Sequence, residues 1–246
     1  MSEAPDPTSL AEITLLRARR DASTPFVLTI EEEEPYTVCA RSYGEIATRA
    51  QVLANALADA GVAPGEFVGC YLRNSPSWVV TSLGVWWCGA VVAAVGTLLP
   101  GVEAARLFAM ADVKTVVTVS DAPELSGDLQ VLRLDDEGLL EGKPDPGDSG
   151  WETADLRLPK EDELAVAIFT SGTTGRPKGI THTHGDVAAH ARRVAAAYAR
   201  TSAYRPDPAP PHLAPGAAFS PFGHMNGYSR LGFRMWIGRP TVVVPK

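Results

Sequence analysis

One glycine-rich stretch, "TSGTTGRPKG" at residues 170–179, carries the side chains with the clearest chemical potential. Glycine permits positive φ angles, so consecutive backbone N–H groups in such a turn can point towards one centre and bind an anion. Ser171, Thr173 and Thr174 add hydroxyl donors to those amides. Lys178 adds a mobile positive charge, and the proline before it stiffens the approach. The stretch therefore predicts a polyphosphate-binding loop, whereas a flexible surface loop without a ligand is the alternative.

The glycine spacing differs from that of a Walker A loop, which reads G-x-x-x-x-G-K-[ST] and continues into a helix whose N-terminus holds phosphate. This stretch reads G-x-x-G-x-x-K-G, and the residues that follow, Ile180–His184, favour a short strand. The sequence therefore disfavours a P-loop NTPase.

Alternating strands and helices are predicted to position the loop. An apolar run directly before it, Leu164–Phe169, is typical of a strand buried on both faces. A capping-box pattern, Ser42 to Glu45, opens a helix whose apolar residues recur at intervals of three and four and that stops at Gly61. Further strands are predicted at residues 67–72, 90–95, 115–119, 130–134, 217–222 and 241–244, and further helices from Ser75, at 102–111, at 187–204 with Asp186 as the cap, and at 224–237. Because such alternation requires crossover connections, we predict an α/β fold of parallel-rich sheets with helices on both faces.

The composition is that of a folded protein without a nucleic-acid-binding surface. The 246 residues are 45% hydrophobic and 21% charged, and the formal net charge is −7. A negative net charge argues against a broad electrostatic interaction with nucleic acid. The three cysteines form no C-x-x-C pair, which favours buried reduced thiols and no metal site. The N-terminus is polar and does not resemble a signal peptide. We therefore expect a cytoplasmic protein.

The uncharged stretch Val79–Leu99 allows a competing interpretation, because its length could span a bilayer. A buried helix that stops at Gly89 and leads into a buried strand, Ala90–Val95, fits the same residues. No cluster of lysine or arginine flanks the stretch, so we favour the interpretation without a membrane span.

Residues 170–179 resemble the phosphate-loop motif of the AMP-forming adenylating superfamily. That superfamily includes acyl- and aryl-CoA synthetases, firefly-type luciferases and the adenylation domains of nonribosomal peptide synthetases. The resemblance extends to an "N-S-P-x-W" turn at residues 74–78 and to "THTHGDV", in which His184 lies at the histidine position of the motif and Asp186 replaces its asparagine. It covers the chain from about Ser42 to the end.

The resemblance implies the N-terminal portion of the adenylating-enzyme large domain and an ATP-dependent ligase. In such enzymes a carboxylate attacks the α-phosphate of ATP, and a thiol, usually that of coenzyme A, then accepts the acyl group. ATP, Mg²⁺ and coenzyme A are thus implied, with a small carboxylic acid, fatty or aryl, as the substrate. The implied ATP-contacting residues are Thr170, Ser171, Gly172, Thr173, Thr174, Gly175 and Lys178.

A second element, "SPFGHMNG" at residues 220–227, resembles the superfamily's "P-x-F-H-x-x-G" element beside the acyl pocket. His224 and Gly227 fall in register with that motif and are the implied pocket residues. The residue before the histidine is Gly223 instead of an aromatic, a departure that leaves the gating role of this element open, with Phe222 as the candidate substitute.

Motifs that the superfamily carries further along are not found in this sequence. Neither "Y-G-x-T-E" nor "T-G-D" occurs before Lys246, so the implied catalytic lysine would lie beyond this chain. We therefore expect an N-terminal fragment with little adenylation activity alone, divided into a lead-in at residues 1–41, a first α/β subdomain at 42–160 and a loop-bearing segment at 161–246. The alternative is a non-catalytic binding or assembly module that keeps the fold and forms a homodimer through the sheet edge at which the chain ends.

Overall fold

The computed structural model describes residues 6–31, 37–153, 156–170, 177–200 and 215–243. Its helices are α1 (Leu10–Arg20), α2 (Tyr43–Asp59), α3 (Pro76–Cys88), α4 (Gly101–Met110), α5 (His184–Arg200) and α6 (Met225–Ile237). Its strands are β1 (Pro25–Glu31), β2 (Thr37–Ser42), β3 (Phe67–Tyr71), β4 (Val91–Val95), β5 (Thr115–Val119), β6 (Gln130–Leu134), β7 (Leu164–Thr170), β8 (Lys178–Thr183), β9 (Gly216–Ala218) and β10 (Thr241–Val243).

Six strands form the larger sheet, in the order β6-β5-β3-β4-β7-β8. Neighbouring strands are parallel, except that β8 runs antiparallel to β7. The central strands consist almost wholly of buried residues, as expected for strands that are covered on both faces. One face packs against α2 and α3, and the other packs against α4, where Phe108 lies edge-to-face on Tyr71. This arrangement confirms the predicted α/β fold with helices on both faces of a parallel-rich sheet.

A second sheet has the order β2-β1-β10-β9. β10 is parallel to both of its neighbours, β1 and β9, whereas β1 and β2 form an antiparallel pair. The segment 1–41, for which the sequence predicted no element, thus contains α1, β1 and most of β2. Both sheets take strands from either side of residue 160, and the division into three segments stays a prediction. Among the described residues β10 is paired on both sides, so it is not the free edge on which the expected homodimer depends.

The uncharged stretch at residues 79–99 folds as a helix followed by a strand. α3 ends at Cys88, Gly89 adopts a left-handed conformation with φ of 86°, and β4 begins at Val91. Glycine reaches this conformation without a steric cost, which ends the helix at this point. None of the helices in the described ranges has both the length and the low polarity that a bilayer crossing requires. The helix, glycine stop and strand predicted from the sequence are confirmed.

Two helices begin with reciprocal side-chain caps. At α2, Ser42 Oγ accepts a hydrogen bond from the Glu45 N–H at 3.2 Å, and the Glu45 carboxylate accepts one from the Ser42 N–H at 2.8 Å, which confirms the capping box. α5 begins at His184, earlier than predicted. There the Thr183 hydroxyl accepts from the Asp186 N–H, and the Asp186 carboxylate accepts from the Thr183 N–H, both at 3.1 Å. The prediction that Asp186 caps α5 was therefore wrong, because Thr183 takes that position.

Candidate functional site

The carboxyl ends of the parallel strands meet at one edge of the larger sheet. β3, β4, β5 and β7 run in the same direction, so the connections that follow them all leave from this edge. In open α/β sheets, ligands bind outside the carboxyl ends of the strands. The glycine-rich loop follows β7 and the N-S-P-x-W turn follows β3, so both motifs lie at the edge where a ligand is expected.

The hairpin of β7 and β8 holds the two described ends of the glycine-rich loop. Antiparallel pairing places Thr170 directly opposite Lys178 and Phe169 opposite Gly179. Thr170 and Lys178 are both exposed, and the Thr170 hydroxyl lies 3.5 Å from the Lys178 carbonyl oxygen. Strand pairing therefore fixes the backbone of Lys178 at the mouth of the loop while its ammonium group stays accessible. The other predicted loop residues lie outside the described part of the chain: Ser171, Gly172, Thr173, Thr174 and Gly175.

His184, at the motif's histidine position, is buried beneath this hairpin as the first residue of α5. Its side chain is 3% exposed, and its ring lies edge-to-face on Trp86 with the ring centroids 5.3 Å apart. The backbone N–H donates to the Glu163 carbonyl at 2.9 Å. Burial lowers the pKa of His184 to about 4, with Glu163 opposing the decrease and Arg157 adding to it. The imidazole is therefore neutral at pH 7 and anchors the start of α5.

The side chain of Asn74 connects the N-S-P-x-W turn to the second motif. Its Nδ2 donates to the Ser220 carbonyl at 2.9 Å and to the Ala218 carbonyl at 3.4 Å, and its Oδ1 accepts from the Phe222 N–H at 2.8 Å. These contacts turn the chain directly after β9, so the strand predicted at residues 217–222 is confined to Gly216–Ala218. The sequence identifies Asn74 only as a motif residue and does not predict its bridging role, because its partners lie 144 to 148 residues away.

Phe222 and Gly223 pack against the core below the carboxyl ends of the strands. Phe222 is fully buried and packs on Trp78 with the ring centroids 6.1 Å apart. The expectation that Phe222 gates a pocket was therefore wrong, since its ring lies in the core. A Cβ atom on Gly223 would lie 2.8 Å from the Gly96 backbone nitrogen, so the close approach of two backbones excludes a side chain here. Phe219, the residue directly before this element, is an aromatic that is 67% exposed.

The two predicted pocket residues occupy different environments. His224 is exposed at the N-cap position of α6, and its side chain makes no capping hydrogen bond. Gly227 is buried in the first turn of α6, where a Cβ atom would lie 2.1 Å from the Pro221 carbonyl oxygen. Gly227 thus allows α6 to pack against the preceding turn, and a contact of either residue with a substrate stays a prediction.

A cleft of about 310 Å³ opens beside this element, between β8, α5 and α6. Its size falls at the lower end of the range for small-molecule sites. Its lining mixes polar and apolar groups, and the Nε2 atom of His182 is buried there without a hydrogen-bond partner among the described residues. The lining residues are His182, Asp186, Val187, His190, Arg193, Met225, Tyr228, Ser229 and Gly232.

Comparison with known proteins gives one family match and many relatives. The sequence profile of the family described as "AMP-binding enzyme" matches residues 18–246. Long-chain-fatty-acid–CoA ligase 6 of Rattus norvegicus is 32% identical over 186 residues, which cover 64% of this chain and 26% of the ligase. The hybrid PKS-NRPS synthetase fsa1 of a Fusarium species is 28% identical over 165 residues, 65% of this chain and 4% of the synthetase. The chain thus spans about a quarter of the ligase and far less of the synthetase.

A solved structure shows the same fold. The fatty acyl-adenylate ligase from L. pneumophila, solved in complex with acyl adenylate and pyrophosphate, superposes with a TM-score of 0.76 at 15% sequence identity. The superposition covers 98% of this chain and 40% of the ligase. At this identity the similarity concerns the fold alone, and it extends over nearly the whole chain.

Proposed function

The chain belongs to the AMP-binding enzyme family, and on that premise we propose that it activates a carboxylic acid with ATP. In the proposed reaction, a carboxylate oxygen attacks the α-phosphorus of ATP. The bond between that phosphorus and the oxygen that bridges to the β-phosphate breaks, and pyrophosphate leaves with the bonding electrons. The products are an acyl-adenylate and pyrophosphate.

The observation that carries this proposal is the β7–β8 hairpin at the carboxyl edge of the sheet. It places Lys178 opposite Thr170, at the two ends of the glycine-rich loop. The ammonium group supplies a positive charge, and the Thr170 hydroxyl supplies a donor. Donors that are already in position when negative charge moves onto the leaving pyrophosphate lower the barrier without reorganisation. We assign the β- and γ-phosphates to this loop, with Thr170, Ser171, Gly172, Thr173, Thr174, Gly175 and Lys178 as the contacting residues.

The donor chemistry of this edge fits Mg²⁺ that arrives with the nucleotide. In the described part of the chain, no three His, Cys, Asp or Glu side chains converge on one point. Mg²⁺ retains several waters and is commonly held through substrate phosphates with few protein ligands, for which hydroxyl and water oxygens suffice. When bound, it supplies a further positive charge beside the phosphates. Thr170 and the loop hydroxyls are the residues that we expect to face it.

We propose a thiol as the acceptor of the acyl group, with coenzyme A as the first candidate. The similarity to a fatty-acid–CoA ligase supports coenzyme A. A carrier-protein thiol is the second candidate, because a hybrid PKS-NRPS synthetase is also similar over 65% of this chain. A mixture of purified protein, ATP, acid and coenzyme A distinguishes the two, since only the first candidate yields an acyl-CoA.

We place the acid in the cleft between α5 and α6. The cleft adjoins the start of α6, where His224 and Gly227 lie, and Met225 forms part of its wall. The guanidinium of Arg193 at the cleft offers a partner for a negatively charged group. A fatty or aryl acid stays the predicted class, and the mixed lining favours an acid with a polar group over a long unbranched chain.

The test is acid-dependent exchange of labelled pyrophosphate into ATP. The protein is purified from its native source, with each substitution introduced into the gene there, and is incubated with ATP, Mg²⁺, pyrophosphate and a panel of fatty, aryl and polar carboxylic acids. We expect exchange above background with at least one acid, and a loss of roughly a hundredfold in Lys178→Ala, because a charge-stabilising donor is removed. Lys160→Ala, which removes an exposed lysine elsewhere, is the matched control. Exchange that is unchanged in Lys178→Ala, or absent with every acid class, contradicts the proposal.

A further inference from the structure

A second polar pocket lies at the far end of α6, away from the glycine-rich loop. It encloses about 380 Å³ where the last turn of α1, the first turn of α2 and the end of α6 meet. α6 has 13 residues, so this pocket and the SPFGHMNG element are separated by roughly 20 Å along the helix. The lining residues are Arg17, Arg20, Asp21, Thr24, Tyr43, Ile237 and Gly238.

Two arginines give the pocket its positive character. Arg17 Nε donates to the Met235 carbonyl at 3.1 Å and Nη2 donates to the Trp236 carbonyl at 2.5 Å, so the guanidinium is held at the C-terminus of α6. Burial lowers the pKa of Arg17, Tyr43 opposes that change, and the nearby charge of Arg20 adds to it. A guanidinium nevertheless stays protonated in proteins, so two like charges face the same space.

Neither arginine has a carboxylate partner in the described part of the chain. The one acidic side chain of the pocket, Asp21, already accepts hydrogen bonds from the hydroxyls of Ser23 at 2.7 Å and Thr24 at 2.8 Å. The lining therefore carries two positive charges against the Asp21 carboxylate and the partial negative charge of the α6 carbonyls that accept from Arg17, so a net positive charge remains. Such a balance favours an anion in the pocket.

Tyr43 supplies an independent observation at the base of the pocket. Its side chain is 1% exposed, and its hydroxyl has no hydrogen-bond partner among the described residues. The ring is fixed by parallel stacking on Phe26, with the centroids 4.3 Å apart. Burial raises the pKa of Tyr43 to about 12, so the hydroxyl keeps its proton and is available as a donor. Buried hydroxyls are nearly always paired, so a ligand oxygen at this pocket would supply the acceptor that the described residues do not.

We infer that this pocket is a second anion site, which binds a phosphate group through Arg17, Arg20 and the Tyr43 hydroxyl. Arg20 presents paired N–H donors that match two oxygens of a phosphate, whereas Arg17, whose Nε and Nη2 donate to α6 carbonyls, contributes its positive charge and Nη1. The Tyr43 hydroxyl is the further donor. The volume exceeds that of a phosphate, so either free phosphate or a small phosphorylated metabolite fits. The site is separate from the loop that we assign to ATP, and it contacts the end of the helix whose other end carries the SPFGHMNG element.

The experiment is a calorimetric titration of the chain with inorganic phosphate at low ionic strength. Arg20→Ala removes an exposed charge from the pocket, and Tyr43→Phe removes only the hydroxyl while it keeps the stacked ring. Each change is expected to weaken phosphate binding at this site about tenfold, the scale of one charge-assisted hydrogen bond. Arg19→Ala is the matched control, because it removes the same charge from the same helix but does not line the pocket.

Lys178→Ala separates this site from the glycine-rich loop. We expect one class of phosphate binding to persist unchanged in Lys178→Ala and to weaken about tenfold in Arg20→Ala. Glycerol phosphate, titrated in parallel, reports whether a phosphomonoester binds more tightly than free phosphate, and tighter binding of either supports the site. Phosphate affinity that is equal in the native chain, Arg20→Ala and Tyr43→Phe, with folded far-ultraviolet spectra for all, overturns the inference, as does the loss of all binding in Lys178→Ala.

Discussion

The two motifs at the carboxyl edge of the larger sheet are held in opposite ways. At the β7–β8 hairpin, Thr170 and Lys178 are exposed and few side-chain contacts fix them. At the turn after β3, Asn74 makes two hydrogen bonds to the SPFGHMNG element and one to Ala218 of β9, and Phe222 lies fully in the core. One side of the edge therefore exposes a hydroxyl and an ammonium group, and the other side is a frame, formed by Asn74 and Phe222, that keeps the surrounding elements in place.

This difference divides the motif residues into buried ones that support the fold and exposed ones that are free to contact a ligand. The family resemblance implies both Gly227 and Lys178 as site residues. Gly227, however, is buried against the Pro221 carbonyl oxygen, whereas Lys178 is an exposed cation. Substitutions in the frame should change the free energy of unfolding first, and ligand binding only as a consequence. Substitutions at the hairpin should change ligand binding and leave the stability nearly unaltered.

The largest effect on stability is expected from Gly227→Ala. The added Cβ would overlap the Pro221 carbonyl oxygen at 2.1 Å, so α6 must shift away from the turn that precedes it. We expect a loss of ~3 kcal/mol in the free energy of unfolding, measured by urea denaturation. Gly96→Ala is the control, because a Cβ there meets no atom within 4 Å. Equal stability of the two variants would show that the frame tolerates movement.

A slightly smaller effect is expected on acidification, through His184. The unfolded chain takes up a proton at the usual histidine pKa of 6.5, whereas the folded chain does so only at about 4. The stability that depends on a neutral His184 is thus complete above pH 6.5 and is lost as the pH falls from 6.5 towards 4, with a loss of ~2 kcal/mol at about pH 5. In His184→Asn the slope of stability against pH should be shallower over this window. An unchanged slope would mean that His184 is not buried as a neutral ring.

Asn74→Ala is expected to cost somewhat less. It leaves the Phe222 N–H and the Ser220 carbonyl without their side-chain partner, for which we expect a loss of ~1.5 kcal/mol in urea denaturation. Asn74→Asp retains an acceptor for the Phe222 N–H, but its second carboxylate oxygen would face the Ser220 carbonyl oxygen, so it should not restore the stability. Asn226→Ala, at an exposed asparagine of the same region, is the control. A loss no larger than that of the control would show that Asn74 does not connect the two motifs.

The sequence predicted the hairpin and the sheet because both depend on local patterns. The apolar run before Thr170 and the glycines after it identify a strand that leads into a loop without knowledge of distant residues. The bridge from Asn74 could not be predicted, since its partners lie more than 140 residues away and no spacing rule relates them. The pocket at Arg17 and Tyr43 could not be predicted either, because α1, α2 and α6 meet there only in the folded chain.

The start of α5 shows a more local limit. Thr183 and Asp186 satisfy the same reciprocal pattern as Ser42 and Glu45, but the β-strand character of the residues before Thr183 concealed it. Helix boundaries shift by a few residues whenever two polar side chains can each take the cap position. The fold was therefore predictable where one residue type had one possible role, whereas the assignment of the phosphate site rests on one contiguous motif and stays a prediction.

The central claim, that the hairpin presents the phosphate-binding groups, is tested most directly by titrating the chain with Mg²⁺–ATP and with pyrophosphate. We expect Lys178→Ala to bind both at least tenfold more weakly than the native chain, with an unchanged midpoint of urea denaturation. Lys160→Ala should bind as tightly as the native chain. Equal affinity in Lys178→Ala and Lys160→Ala, or a loss of binding that follows a loss of stability, would contradict the account.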